Sequence, residues 1–335
     1  MNSIGTIFKV DIFGESHGKC TGVIISGVPA GIRVDYKELD ALLVRRKPGA
    51  KGTTKRIEAD IPNFQSGILN DQTTGSPILV TFPNSNVNST GYSTLKASPR
   101  ANHSDFVATK KFFGFNDLNG GGHFSGRITV GLIVAGYLAQ KVINTISVKA
   151  ELIKVGGETN FSSLLDEVIA AKDSIGGEIL CKVSNLPIGL GSPFFNSVES
   201  LLAHILFSIP GVKSLSFGNE LDPSCARGSE FNDQIIDVNG RTGTNNSGGV
   251  VGGITNGNEL VFSVKVKPTP SIGIAQKGYN FESGIIEESS ITGRHDACFA
   301  LRVPVIIEAV TSIVLADLYL QRLMEERANE LRDNS

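Results

Sequence analysis

Six consecutive residues, Gly293-Arg294-His295-Asp296-Ala297-Cys298, combine a flexible backbone position, a fixed cation, an imidazole and a carboxylate. Packing does not ask for such a run. Arginine holds anions through a planar fork, histidine exchanges a proton near neutral pH, and aspartate accepts one. Pro304 closes the segment and an apolar helical pattern follows. The run therefore reads as a loop leading to a helix, where small ligands and backbone amides often meet. The alternative is a polar turn in which Asp296 caps local backbone.

Three other stretches carry similar ingredients. Gly14-Glu15-Ser16-His17-Gly18 lies between two strand-like segments, 5–13 and 21–28. Its glycines let backbone approach a ligand and His17 can move a proton; a hairpin loop with a solvent histidine reads as well. Arg100, His103 and Asp105 fall within six residues. Asn119-Gly120-Gly121-Gly122-His123-Phe124-Ser125-Gly126-Arg127 precedes a helix with Val130, Ile133, Val134, Tyr137 and Leu138 on its apolar side. Successive glycine N–H groups before a helix form an anion cradle. No GK[ST] follows, and GxGxxG with a downstream acid is missing, so neither nucleotide fingerprint applies.

The elements that must position these residues are legible in part. A helix starts at Asp35, with Glu38 placed for a capping box, and carries Leu39, Leu42 and Leu43. It ends in Arg45-Arg46-Lys47 before Pro48-Gly49. Those cations suit the helix dipole, and with Lys51 and Lys55 they could equally clamp an anion. Residues 76–82, 177–183 and 259–267 read as strands, and the Asn- and Ser-rich stretch 83–99 as a long loop. A helix over Ser197–Ser208 carries Leu201, Leu202, Ile205 and Leu206, and His204 beside them reads as core or boundary. A last helix from Pro304 to about Arg332 is apolar early and charged late, so its tail, about 325–335, reads as solvated. No 20–50-residue repeat occurs. Strands followed by helices in both halves predict a layered α+β fold.

Composition narrows the class. A chain of 335 residues, 40% apolar, makes one large domain or two ordinary ones. Net charge is −2 with no basic stripe, which argues against nucleic acid. No signal-peptide pattern and no 18-residue apolar run stand out, so no membrane role is expected. Cys20, Cys181, Cys225 and Cys298 are scattered without a CxxC, which fits a reducing, cytoplasmic compartment better than a disulfide frame or a metal site.

Together these stretches resemble the chorismate synthase family. The matching runs are Phe13-Gly14-Glu15-Ser16-His17-Gly18, Arg45-Arg46-Lys47-Pro48-Gly49, the Arg100/His103/Asp105 segment and Ser125-Gly126-Arg127. Asn245-Asn246-Ser247-Gly248-Gly249-Val250-Val251-Gly252-Gly253-Ile254, Lys267-Pro268-Thr269 and Gly293-Arg294-His295-Asp296 follow in the same order. The resemblance implies a carbon–oxygen lyase of the shikimate pathway, in aromatic amino-acid biosynthesis. Such an enzyme forms chorismate from 5-enolpyruvylshikimate 3-phosphate by anti 1,4-elimination of phosphate. It also implies reduced FMN with no net redox change, NADPH as a reductant in some members, and a β-α-β sandwich as a single domain, assembled as a homotetramer. His17 would serve the reduced flavin, His103 the departing phosphate, and Asp296 proton removal through the flavin. Flavin-binding positions would be His123, Phe124, Ser125, Gly252, Lys267, Pro268, Thr269, Pro270, Ser271 and Arg294. Arg45, Arg100 and Arg127 would bind substrate and Arg46 the nicotinamide cofactor.

The chain departs from the family at four places. His123-Phe124-Ser125 stands where many members have Arg-Ser-Ser, Ile128 where many have Glu, and Ala297 where Pro is usual; Arg302-Val303-Pro304 shortens Arg-Ala-Val-Pro. The arginine distribution agrees with the implied chemistry, because two carboxylates and two phosphates need many planar donors. Donors aimed at developing charge contribute on the order of 3 kcal/mol each. A flavin reductase with net redox turnover, or a non-catalytic anion- or nucleotide-binding module, are the competing readings. Titratable groups in separate loops disfavour the module, since binding alone does not need them.

Overall fold

The computed structural model describes residues 2–54, 58–87, 93–218, 221–291 and 295–333. The chain opens with β1 (Ser3–Ile4), β2 (Lys9–Gly14), β3 (Cys20–Ser26) and α1 (Tyr36–Arg46). Short strands β4 (Asn63–Phe64), β5 (Ile68–Leu69) and β6 (Gln72–Thr73) lead to β7 (Ile78–Pro83). Then come α2 (Asp105–Lys111), α3 (Val130–Val142), β8 (Ser147–Val155), α4 (Ser162–Ala170), β9 (Gly177–Ser184), α5 (Val198–Leu206), β10 (Val212–Phe217) and α6 (Gly228–Phe231). The hairpin β11 (Val250–Val251) and β12 (Ile254–Thr255) precedes β13 (Leu260–Val266), β14 (Gln276–Tyr279), β15 (Ile286–Ser289) and α7 (Pro304–Asp333).

Alternation builds two antiparallel sheets, and the fold is α+β. The first has order β1-β2-β3-β7-β4. It buries one face through Val10, Val23, Ile25, Ile78, Val80 and Phe82. The second has order β10-β13-β9-β8 and buries Ile179, Cys181, Val183, Phe262 and Val264. Between them, α3 packs on β3 and on α7, and α7 packs on β8 and β9. Gly136 makes the crossing possible: a Cβ there would stand 2.4 Å from Ala309 Cα. An 18-residue window of α7 has mean hydropathy 1.5, and 72% of it is buried within the protein. That apolarity therefore goes into the core, and from Leu323 onward the helix faces solvent.

The structure corrects several sequence expectations. The strand expected over 5–13 is broken, because the N–H groups of Thr6, Ile7 and Phe8 all donate to the Asp317 carboxylate of α7. Asp35 caps α1 through Lys37 and Glu38 N–H, but the capping box is not closed. Tyr137 takes the Asp35 N–H and Glu38 pairs with Lys141 instead. The long stretch 83–99 contains a 3-10 turn at Ser93–Lys96. β8, β10 and α4 are not among the elements read from the sequence.

Asp317→Ala should lower stability by about 3 kcal/mol, since it strips an acceptor from one buried and two part-buried N–H groups and a buried loss costs roughly 1–3 kcal/mol. Chemical denaturation checks this, and an unchanged midpoint would show that water replaces the carboxylate.

Candidate functional site

A cavity of about 1080 Å³ opens where loops from both halves converge. Its wall includes residues 2–4, His17, the end of α1, the Arg100–Ser104 turn, the Gly120–Arg127 loop, Lys267–Ser271 and His295–Arg302. Stretches more than 250 residues apart in the chain thus share one hollow.

The glycine loop shapes one side. Gly120, Gly121 and Gly122 all have positive φ, at 61°, 85° and 53°. A Cβ on Gly120 would stand 2.6 Å from His17 Nε2, so only glycine lets the loop approach that imidazole. The N–H of Ser16 donates to Gly122 O at 3.0 Å, which ties the His17 turn to the same loop.

His103 is oriented by its neighbours. Its Nδ1 lies 2.7 Å from Asp105 Oδ1 and 3.1 Å from Arg100 Nη2. Only the carboxylate can accept a proton from Nδ1, so the N–H sits there and Nε2 becomes the acceptor of the neutral ring. Asp105 in turn takes a bidentate pair from Arg100, at 2.7 and 2.8 Å. Burial alone would raise the Asp105 pKa, but Arg100 and His103 outweigh it and hold the carboxyl well below the ordinary range. Arg100 Nη1 also donates to Ser271 Oγ at 3.1 Å.

Asp296 is held on both oxygens. Thr54 N–H donates to Oδ1 at 2.8 Å and Arg302 Nη2 to Oδ2 at 2.6 Å. Beside it, burial first, then the charges of Arg100 and His103, push the His295 pKa down to about 4 against the pull of Asp296. His295 is thus neutral at pH 7, and its Nε2 is buried with no partner among the described residues.

A third cluster joins α1 to the glycine loop. The Asp60 carboxylate bridges Arg46 and Arg127, and Arg127 Nε donates to Asn84 Oδ1 at 3.1 Å. Burial opposes the Asp60 charge, but the two guanidiniums keep its pKa low. Arg46 Nε, Arg127 Nη2 and Arg302 Nε are buried and unpartnered among the described residues. Buried donors without acceptors point to a ligand that supplies them.

Of the residues singled out from sequence, His17, Arg46, Arg100, His103, His123, Phe124, Ser125, Arg127, Lys267 through Ser271 and Asp296 line this cavity. Arg45 does not: it makes a bidentate pair with Glu308 of α7, at 2.6 and 2.9 Å. Gly252 lies in the β11–β12 turn and is not in the wall. Gly293, Arg294 and Lys55 lie outside the described residues. Lys51 pairs with Asp166 rather than extending an anion clamp. His123 uses both ring nitrogens on protein, Nδ1 toward Gly14 O at 2.8 Å and Nε2 toward Asn2 Oδ1 at 3.2 Å. His204 is exposed on the cavity wall, not in the core. Asp60 was missed because it stands in no motif with its partners Arg46 and Arg127, and Arg302 was read only as part of a shortened family run although Asp296 lies six residues before it.

The His295 environment gives a pH prediction. Unfolded histidine titrates near 6.5, and the folded value is depressed, so protonation favours the unfolded chain. The contribution is fully present above pH 6.5 and is lost as pH falls from there toward 4. His295→Gln should therefore lose less stability over that interval than the parent, read from denaturant midpoints. Equal losses would mean that the ring protonates without penalty.

Comparisons with known proteins agree with one another. The family model described as chorismate synthase matches residues 8–320. A chorismate synthase of Chitinophaga pinensis is 52% identical over 335 residues, covering 100% of both chains. One from Dehalococcoides mccartyi is 41% identical, covering 96% of this chain and 97% of its own. A solved structure titled as a chorismate synthase crystal structure shares the fold at TM-score 0.73 and 22% identity, over 96% of this chain and 94% of that one. With full-length identity of this order and a family match across nearly the whole chain, the protein belongs to the chorismate synthase family and is a chorismate-forming lyase.

Proposed function

We propose that this cavity binds 5-enolpyruvylshikimate 3-phosphate together with reduced FMN and expels phosphate by anti 1,4-elimination, leaving chorismate. The observation that carries this reading is that Arg46, Arg127 and Arg302 line one hollow with His103 and Asp296 and each keeps a buried donor, Nε, Nη2 and Nε, without a partner among the described residues. A substrate with two carboxylates and a phosphate supplies the missing acceptors.

The residues present fit a flavin. The hollow exceeds the usual 300–1,000 Å³ of a single-ligand pocket. Ile12, Leu132 and Phe124 offer apolar wall for a ring system, and Lys267 offers a cation for a phosphate. His123, Phe124, Ser125 and Lys267 through Ser271 would hold it; Gly252 and Arg294 keep that role by resemblance alone. When bound, reduced FMN supplies the electron density that lets the allylic C–O bond break.

The chain's own groups do the rest. In its protonated form His103 keeps Nδ1–H on Asp105 and donates from Nε2 to the departing phosphate oxygen, leaving the neutral ring with Nε2 as acceptor. Asp296 receives the proton that elimination releases, and Arg302 and Thr54 fix its orientation. His17 faces the ligand from the Gly120 side. Arg46 and Arg127 grip substrate anions directly, while Arg100 acts through Asp105. Arg45, paired with Glu308 and outside the cavity wall, keeps a substrate role by resemblance alone. Arg46 is buried against Asp60, which favours substrate over a nicotinamide cofactor, so NADPH would serve as a reductant held elsewhere or not at all.

The two sheets with α3 and α7 between them are read as one β-α-β sandwich domain. A homotetramer would cover exposed Phe194, Phe195, Ile235 and Val238. Four free cysteines suit a cytoplasmic setting. An anaerobic assay with purified protein, reduced FMN and the substrate tests the reading through chorismate absorbance. Product that forms only with stoichiometric reductant would favour a net-redox flavin enzyme, and no product at all would favour an anion-binding role.

A further inference from the structure

We infer that Asp60 is a positioning residue for substrate binding: its single carboxylate sets the spacing and aim of the Arg46 and Arg127 guanidiniums. This rests on the proposed function, because the ligand it prepares for is that multiply anionic substrate.

Both arginines reach Asp60 from different elements, Arg46 from the last turn of α1 and Arg127 from the turn before α3. Each takes one oxygen, Arg46 on Oδ2 and Arg127 on Oδ1. The Asp60 side chain is 1% exposed and the two partners 4% and 5%. Such a bridge holds two like charges side by side that would otherwise repel; Arg127 and Arg302 both disfavour the charge on Arg46. It also consumes only part of each fork. Arg46 Nε and Arg127 Nη2 are left buried and without a partner among the described residues.

The backbone supports a built arrangement. Asp60 adopts φ 51°, a left-handed conformation uncommon for a residue with a side chain. Two residues earlier, Glu58 accepts from the N–H groups of Ser85 and Asn86. That fixes the strand exit beside Asn84, whose Oδ1 holds Arg127 Nε. Arg127 is therefore clamped at two corners, and its third nitrogen, Nη2, is buried beside the cavity wall without a partner among the described residues. A guanidinium so restrained loses little freedom when an anion arrives.

Two roles for Asp60 make opposite predictions. If it only neutralises charge, Asp60→Asn leaves a more cationic cavity and tighter anion binding. If it positions, Asp60→Asn lets the guanidiniums separate, and a ligand with several fixed anions loses more than a single small anion. Calorimetric titration of the flavin-free protein with 5-enolpyruvylshikimate 3-phosphate, and separately with inorganic phosphate, distinguishes them.

The expected result is substrate affinity weaker by about 10- to 100-fold in Asp60→Asn, as for a small misplacement of a binding group. Inorganic phosphate should change little, so the ratio of the two affinities falls. A purely structural role would lower the melting temperature and the active fraction without moving that ratio. Asp60→Glu keeps the charge but shifts it by one methylene, and should weaken substrate in the same sense. It also decides the matter if Asp60→Asn does not fold. Parent-like substrate affinity in the folded variants, or tighter binding in Asp60→Asn, overturns the positioning role. Failure of the parent itself to bind substrate would instead sink the proposed function.

Discussion

Asp296→Asn should slow phosphate release by about 10³-fold, as expected for loss of a proton-transfer group, while flavin and substrate still bind. The structure sharpens why. Asp296 accepts from the Thr54 N–H on one oxygen and from Arg302 on the other. Asparagine can present its carbonyl to only one of them, and its amide then meets a second donor. The variant therefore loses both the proton acceptor and half of its own alignment. Arg302→Lys separates these effects, since it keeps the carboxylate and a cation but removes the planar fork. It should lower the rate far less than Asp296→Asn. Anaerobic single-turnover stopped flow, reading flavin absorbance and phosphate together, makes the comparison. Phosphate appearing at the parent rate in Asp296→Asn would remove that carboxylate from the proton path.

His103→Ala should cost about 10²- to 10⁴-fold in turnover, the usual span for a general acid–base group, without a matching loss of stability. Its partner supplies the sharper test. Asp105 holds the imidazole N–H at Nδ1, so Asp105→Asn offers the ring the wrong partner and favours the other tautomer. Turnover should then fall nearly as far although His103 itself is intact. Asp105 stays ionised across the working range, because its pKa is held low. The pH profile of turnover consequently reports on other groups. A parent-like rate in Asp105→Asn would mean that Arg100, not the carboxylate, orients the ring.

The sequence showed the chemistry more clearly than its geometry. The glycine run at 120–122 marked a close approach, and the structure gives its reason in the His17 ring. The apolar faces of β3, β7, β13, α3 and α7 were legible as periods. Arg45 and Arg46 looked equivalent, but successive residues on a helix diverge by about 100°. One therefore reaches the cavity and the other Glu308. Asp60 stayed invisible because its meaning lies in distant partners, whereas Arg302, only six residues from Asp296, read as a departure from the family pattern and not as that carboxylate's partner. Asp60 finds Arg127 across 67 positions, and Asp296 finds Thr54 across 242. The break between β1 and β2 was hidden for the same reason, its cause being a carboxylate in α7.

That last tie bears on synthesis at the ribosome. Residues 2–4 form part of the cavity wall, and residues 6–8 are pinned by Asp317, up to 311 positions downstream. Chain emerging from the N-terminus can pair β2 with β3 early, because that hairpin is local. The stretch ahead of it has no acceptor for its N–H groups until α7 has been made. Closing so long a loop is slow. The part of the wall that residues 2–4 contribute is thus set beside a segment that is pinned only once α7 has been made.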